Sequence, residues 1–414
     1  MLPYYCDSAG AIGGLRPSRF CRYLSQLGYN CTAITAFPDE ANTSANFVYI
    51  PDKVGELWES GAASSTGAPR PKLSLAAHVE RALRKLFLPG HTGFAWSVDA
   101  SAAAQAILRE IRYRNAVLFS PYPPLGNSLA ALQIALRHWS MPWIVDFHDP
   151  LRFEPFLKHG ALRTRLAVSI LERVIFRRAN AIIANTEAAA AEWRKLYPWA
   201  QEKLHVIWNG FDPQERLDPL PIPPRSEKVI VHAGALYGGR NANAVIGSLA
   251  RLRERGAIPA GSVRLLLVGV LDPSSGADRV LHDRGVQEGW LETRKPVSKV
   301  QARQLVQQAD GLLLLQPQSA LQVPAKLYDY IRIGRPILSV APRGSPSEWI
   351  LQNSGIPYAA IHSEDPPDAL DAKMKQYLTL PNTPNEPSEW FQQRFDASAQ
   401  ARQLASIIDR LARP

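Results

Sequence analysis

The segment Gln322-Val-Pro-Ala-Lys-Leu-Tyr-Asp-Tyr-Ile-Arg-Ile-Gly-Arg-Pro336 brings a cation, a carboxylate and a helix start close together. Pro324 suits the beginning of a helix, where its missing N–H is no loss. The free N–H groups of Ala325, Lys326 and Leu327 then point outward at the positive end of the helix dipole, which is an anion site without any side chain. Lys326 adds a formal charge within reach of the same anion. Asp329 follows one turn later on nearly the same face. A carboxylate there can accept hydrogen bonds from hydroxyls such as those of a ribose while phosphates sit at the helix start. Gly334 closes the helix and Pro336 stops it. The same pattern also fits an ordinary helix with a Lys–Asp surface pair.

Such a site needs elements to hold it. Apolar runs of strand length alternate with helical patterns along the chain. Val117 to Ser120, Trp143 to Asp146, Ala181 to Ala184, His205 to Trp208, Val229 to His232, Val263 to Val268, Gly311 to Leu315 and Pro336 to Val340 read as buried strands. Helical patterns separate them, among them Asn127 to His138, Arg163 to Arg178, Asn243 to Arg255 and Lys326 to Ile333. Continuous apolar strands alternating with helices argue for an α/β fold with parallel sheets covered on both faces. Asp212 to Lys228 holds Pro213, Pro219, Pro221, Pro223 and Pro224 and little that could pack, so it reads as an extended connector. The expected organisation is a domain over 1–212, a linker over 213–228, a second domain over 229–385 and a helical segment over 386–414. In such sheets ligands bind beyond the carboxyl ends of the strands. Two facing domains would put both sets of strand ends on one cleft.

Composition narrows the function classes. The chain has 414 residues, 46% of them hydrophobic and 20% charged, so folded domains rather than disorder are expected. No apolar run approaches the ~20 residues needed to span a bilayer, and no signal peptide is visible. Cys6, Cys21 and Cys31 form no CxxC pair, which suits three buried small side chains in a reducing cytoplasm rather than a disulfide framework or zinc site. The formal charge of +10 is spread over both halves and admits nucleic acid, an anionic membrane or a phosphorylated ligand. No aromatic–basic motif favours nucleic acid.

Taken in order, several stretches resemble glycosyltransferase family 4, of the GT-B architecture with two facing Rossmann-like domains. Pro-Ala-Lys-Leu-Tyr-Asp-Tyr-Ile-x-x-Gly-Arg-Pro-Ile-Leu is similar to the family's donor-binding segment. Gly13-Gly14-Leu15-Arg16-Pro17 followed by Tyr23 to Tyr29 resembles its N-terminal glycine loop and first helix. Ser120 to Leu125, Asp146-Phe-His-Asp-Pro150 and Ala184-Asn-Thr-Glu187 resemble loops of its N-terminal domain. Ile207 to Pro213 resembles its junction motif, and His232-Ala-Gly-Ala-Leu-Tyr-Gly-Gly-Arg240 its second glycine loop. The family normally has a complete strand before the first glycine loop, whereas here Met1 to Tyr5 leave room only for a short one.

The resemblance implies roles. Gly234, Gly238 and Gly239 would let the backbone approach a diphosphate that Arg240 and Lys326 neutralise, with Gln322, Pro324, Ala325 and Leu327 at the helix start. Gly13 and Gly14 would lie in a loop under donor or acceptor, or simply turn the chain. Asp329 stands where the family usually has a ribose-binding glutamate. Leu321 stands where it often has a sugar-contacting glutamate, for which Gln318 or Gln322 would substitute. His148 matches a histidine facing the donor sugar, with Asp146 and Asp149 orienting it or capping the next segment. The implied reaction is retaining transfer of a sugar from a nucleotide diphosphate sugar to a saccharide or lipid-linked acceptor in cell-surface polysaccharide synthesis. Its leaving group would be stabilised by cations and backbone N–H groups, with no metal or other cofactor. Basic amphipathic stretches at 78–88 and 151–178 suit an anionic membrane on the inner face of the cell membrane, or are solvated faces of packed helices. A nucleotide-sugar epimerase of the same architecture and a non-catalytic nucleotide-sugar-binding protein are the other readings.

Overall fold

The computed structural model describes residues 1–6, 12–37, 45–52, 93–111, 115–153 and 161–412. The Gly/Ala/Ser-rich stretch 54–75 and the basic stretch 78–88 lie outside the described residues. The chain divides into two compact units, Met1–Asp212 with Ala397–Pro414, and Pro213–Asp396.

The first unit runs α1 (Ile12–Gln26), β1 (Thr32–Thr35), β2 (Asn46–Tyr49), α2 (Phe94–Glu110), β3 (Leu118–Tyr122), α3 (Leu125–Arg137), β4 (Trp143–Phe147), α4 (Leu162–Arg178), β5 (Ala181–Ala184), α5 (Glu187–Leu196) and β6 (Leu204–Val206). β1 and β2 pair in parallel, as do β3-β4-β5-β6. An extended segment over Met1–Cys6 lies between these groups. Leu2 N–H donates to Phe119 O at 2.9 Å on one side, while Met1 O and Tyr4 O accept from Ile34 and Ala36 at 3.0 Å on the other. It takes the place of a first strand. β3, β4 and β5 are buried throughout, as strands covered on both faces must be.

α1 also anchors the stretch after β6. Arg16 donates to the carbonyls of Ile207 and Trp208, Arg19 to that of Gly210, and Arg22 and Tyr23 to the carboxylate of Asp212. Successive turns of one helix thus hold the chain up to the unit's boundary.

The second unit runs β7 (Lys228–Ala233), α6 (Asn243–Glu254), β8 (Val263–Val268), α7 (Arg279–Gln287), β9 (Leu291–Arg294), α8 (Lys299–Gln307), β10 (Gly311–Leu315), α9 (Lys326–Ile333), β11 (Ile337–Val340), α10 (Pro346–Asn353), β12 (Tyr358–Ile361), α11 (Pro367–Leu378) and α12 (Glu389–Phe395). Its six parallel strands lie in the order β12-β11-β10-β7-β8-β9. This is the doubly wound order, whose direction reverses between β7 and β10. One core of Ile230, Leu265, Leu313, Leu338 and Ile361 with helix side chains from α6 and α11 fills the space beside the sheet. α8 starts at a capping box made by Ser298 and Gln301, and α9 ends at Gly334, whose φ of 76° a side chain would strain.

Two expectations change. The proline-rich stretch 213–228 is not a loose connector. Leu217 is buried, Glu215 pairs with Arg303 at 2.8 Å, and Arg335 donates to Leu220 O at 2.9 Å, so it packs along the second unit. The helical segment expected over 386–414 is also not one body. α12 ends at Phe395, buried with Phe391 beside Tyr328. α13 (Ala397–Ala412) instead packs on α1 in the first unit, with Leu404 and Ile407 joining the cluster of Phe20 and Leu24.

Candidate functional site

In the first unit, polar side chains gather at the carboxyl end of β4. Asp146 is fully buried. Arg16 grips it with two bonds, Nε to Oδ2 at 2.8 Å and Nη2 to Oδ1 at 3.0 Å. His148 Nε2 lies 3.0 Å from the same Oδ2. Burial alone would raise the Asp146 pKa, but Arg16 and then His148 outweigh it and hold the carboxyl at about 2. An ionised carboxylate only accepts, so His148 Nε2 carries the proton and Nδ1 is left for a ligand. The His148 backbone is fixed too, with N–H donating to Tyr122 O at 2.8 Å and O accepting from Asn185. The imidazole is therefore held at a strand end with one ring atom uncommitted.

Gly13 and Gly14 are not in a loop. They open α1, one turn before Arg16. Neither has a positive φ, and a Cβ on Gly13 would meet nothing within 4 Å. Their backbone conformation thus needs no glycine, and the space over Gly13 is open.

In the second unit, side chains converge where β7 and β10 part. The ladder between them stops at Val231–Leu312. Beyond it, side chains serve the backbone. His232 Nδ1 donates to Leu313 O at 2.9 Å, Ala233 N–H donates to the Tyr330 hydroxyl at 3.3 Å, and Lys326 Nζ donates to Ala233 O at 2.9 Å. Burial, and then the Arg240 charge, bring the Lys326 ammonium down to about 7. Arg240 is tied by Gln316 Oε1 at 2.6 Å and lies over the Tyr237 ring at 5.1 Å.

Gly234 has φ 155°, and a Cβ there would fall 2.0 Å from Lys326 Nζ. Glycine at this position is what admits the ammonium. Gly239, at φ 80°, faces Gln318, whose Nε2 lies 3.4 Å from Gly239 O. The loop's amides are largely committed. Gly238 N–H donates to Ser274 Oγ at 3.0 Å, Gly239 N–H to Ser274 O at 2.8 Å, and Gly234 N–H to Val268 O at 2.7 Å. The glycines give an anion room rather than donors.

At the start of α9 the expectation is partly corrected. Leu327 N–H turns back to Pro324 O at 2.9 Å, and Leu327 is fully buried, so its amide is lost to a ligand. The amides of Ala325 and Lys326 remain at the dipole's positive end. Asp329 follows one turn on, half-buried, and Gln322 and Leu321 lie half-buried in the preceding loop.

His232, Gln316, Ser274 and Arg16 do not stand out as functional residues in the sequence. Gln316 had a signal: it is the first polar residue after an all-apolar strand, at the end where ligands bind.

Two units of parallel α/β topology, each with fixed cationic or imidazole groups at strand carboxyl ends, have the architecture of GT-B glycosyltransferases. The family model described as Glycosyltransferase Family 4 matches residues 18–215. The match covers most of the first unit, just under half of the chain. No curated protein matches it by sequence. Its fold resembles HepE of Anabaena solved with UDP-glucose, at 13% identity and TM-score 0.59, covering 99% of each chain. It resembles sucrose-phosphate synthase of Thermosynechococcus elongatus at 14% identity and TM-score 0.58, over 98% of this chain and 94% of that one. An α,α-trehalose-phosphate synthase of Burkholderia xenovorans, solved with glucose-6-phosphate, aligns at 11% identity and TM-score 0.61, over 99% and 98%.

Proposed function

We propose that the chain transfers a sugar from a nucleotide diphosphate sugar to a saccharide or lipid-linked saccharide, with retention of anomeric configuration and without a metal. One observation carries this reading: Lys326 Nζ, at the start of α9, lies in the gap left by Gly234, with the Arg240 charge close enough to act on it. Preorganised cations and N–H groups stabilise a departing diphosphate without reorganisation. Asp329 is assigned to the ribose hydroxyls and His148 to a hydrogen bond with sugar or phosphate. UDP-sugars are the donors to try first, since HepE was solved with one. The test is a panel of nucleotide sugars in the presence of EDTA and candidate acceptors. Expected are nucleotide diphosphate release that depends on acceptor and a product of unchanged anomeric configuration by NMR. Release of an isomerised sugar nucleotide, or binding without turnover under every condition, defeats the proposal.

A lipid-linked acceptor in cell-surface polysaccharide synthesis fits the face of α4. Among the described residues no helix is long and apolar enough to cross a membrane. Yet Leu162, Leu166, Ile170 and Val174 recur every four residues on α4 and are 69%, 53%, 64% and 40% exposed. Arg163, Arg165, Arg173 and Arg177 are exposed around them, while the helix's single carboxylate, Glu172, is buried. An acid-free cationic rim about an apolar stripe complements anionic lipid on the cytoplasmic face of a membrane. Wild type should float with vesicles containing phosphatidylglycerol and not with phosphatidylcholine alone, and Leu166→Glu/Ile170→Glu should not float. Equal flotation of the variant removes this face from the proposal.

A further inference from the structure

Residue 232 ends an apolar run on the central strand of the second unit, yet it is histidine. The ring is fully buried. Its Nδ1–H is committed to Leu313 O, where the β7–β10 ladder has ended. Nε2 consequently carries the lone pair of a neutral imidazole. That atom is buried and without a hydrogen-bond partner. Buried acceptors in folded proteins are nearly always satisfied, so an orphan at a ligand site invites an account.

The geometry supplies one. The position a Cβ would take on Gly234 lies 3.5 Å from His232 Nε2 and 2.0 Å from Lys326 Nζ. Both nitrogens border the space that glycine leaves empty. Lys326 makes one hydrogen bond, to Ala233 O, and an ammonium has three N–H donors. The charged groups acting on the ring are Lys326 from α9 and Arg240 from the loop after β7, both cations. With burial first among the causes, they keep the imidazole well below its usual range and so in the lone-pair form.

We propose that His232 is a positioning residue for the donor: its Nε2 accepts a second N–H of the Lys326 ammonium as the diphosphate binds, fixing that cation under Gly234. This inference rests on the reading that Lys326 contacts the donor phosphates. The physical advantage lies in the acceptor's neutrality. A carboxylate at residue 232 would hold Lys326 as firmly but cancel its charge, whereas an imidazole lone pair orients the ammonium and leaves the full charge for the phosphates. His232 also keeps Leu313 O satisfied, so the strand end stays parted.

His232→Asn tests the idea, because its amide N–H can still serve Leu313 O while nothing replaces Nε2. UDP binding is measured by calorimetry from pH 6 to pH 9 for wild type, His232→Asn and Lys326→Ala, with a thermal melt of each. An acceptor lone pair favours the charged form of Lys326. His232→Asn is therefore expected to melt near wild type and to bind UDP several-fold more weakly at pH 8, with the alkaline fall in affinity still beginning near pH 7, where the free protein sets it. The same affinity as wild type from pH 6 to pH 9 overturns the role of His232. If Lys326→Ala also binds UDP like wild type, the donor-site reading itself fails; if only Lys326→Ala weakens binding, His232 alone is excluded. Should His232→Asn not fold, imidazole 15N spectra of the wild type decide. A ring with Nδ1–H and bare Nε2 whose Nε2 resonance moves with UDP supports the proposal, and a ring unmoved at saturation refutes it.

Discussion

Binding of UDP at pH 8 should draw a proton from solvent onto Lys326. In the unliganded protein, burial and Arg240 hold that ammonium at about 7. At pH 8 it is then protonated in only about one molecule in ten. A diphosphate laid against it returns the ammonium toward its ordinary range, near 10.5. The bound state is nearly fully protonated, so about nine-tenths of a proton is taken up. The phosphates of UDP do not confuse the count, since their last ionisation lies near ~6 and is complete at pH 8. Linkage then sets the pH dependence. Because the complex binds more protons than the free protein, affinity weakens as pH rises from 7, by at most about tenfold per unit. The assay is calorimetry at pH 8 in two buffers, one of small and one of large ionisation enthalpy. The difference in observed enthalpy, divided by the difference in buffer enthalpy, is the number of protons. Lys326→Arg serves as the control, because a guanidinium stays charged throughout and should take up none. A wild-type enthalpy independent of buffer, with UDP bound, refutes the account.

Three further outcomes are expected. Gly234→Ala places a methyl group where Lys326 Nζ sits, at a φ that resists side chains, so UDP affinity measured by titration should fall tenfold or more. Arg16→Met removes both bonds to Asp146 and strands a buried carboxylate, which should cost about 3–5 kcal/mol in a denaturant melt; a loss well under ~1 kcal/mol would show that the pair does not hold β4 to α1. Glu172 is buried among Arg152 N–H, Trp193 and Tyr197, and burial, outweighing those hydrogen bonds, raises it to about 7. A carboxyl raised in the folded state stabilises fully below its unfolded pKa of 4.5 and loses that stabilisation as pH climbs to 7, an effect of about 3 kcal/mol. Glu172→Gln should flatten the fall in melting temperature between pH 5 and pH 8.

The strands that pack on both faces were legible because nearly every residue in them is apolar, Arg264 being the exception: Ala181–Ala184, Val263–Val268 and Gly311–Leu315 coincide with their sequence patterns. Two edge strands were not. β9 is Leu-Glu-Thr-Arg with one buried residue and lacks the hydrophobic signal that marks a strand, and β2, Asn-Phe-Val-Tyr, is apolar but only four residues long with none buried. Lys326 and Arg240 could be named as candidates because one stands at a helix start and the other ends a glycine loop that resembles the family's. Gly13 and Gly14 misled because glycine pairs usually turn a chain, whereas here they open a helix. The groups that hold the cations in place stayed hidden. Gln316 follows a strand of leucines, and His232 follows Val229, Ile230 and Val231 within β7, where core packing is the ordinary expectation. Their roles arise only because β7 and β10 part after Val231–Leu312 and leave Leu313 O and Ala233 O without strand partners. Side chains that replace a lost ladder are set by the register of two segments about eighty residues apart in sequence. Local pattern locates the charge at this site, whereas sheet topology determines what holds it.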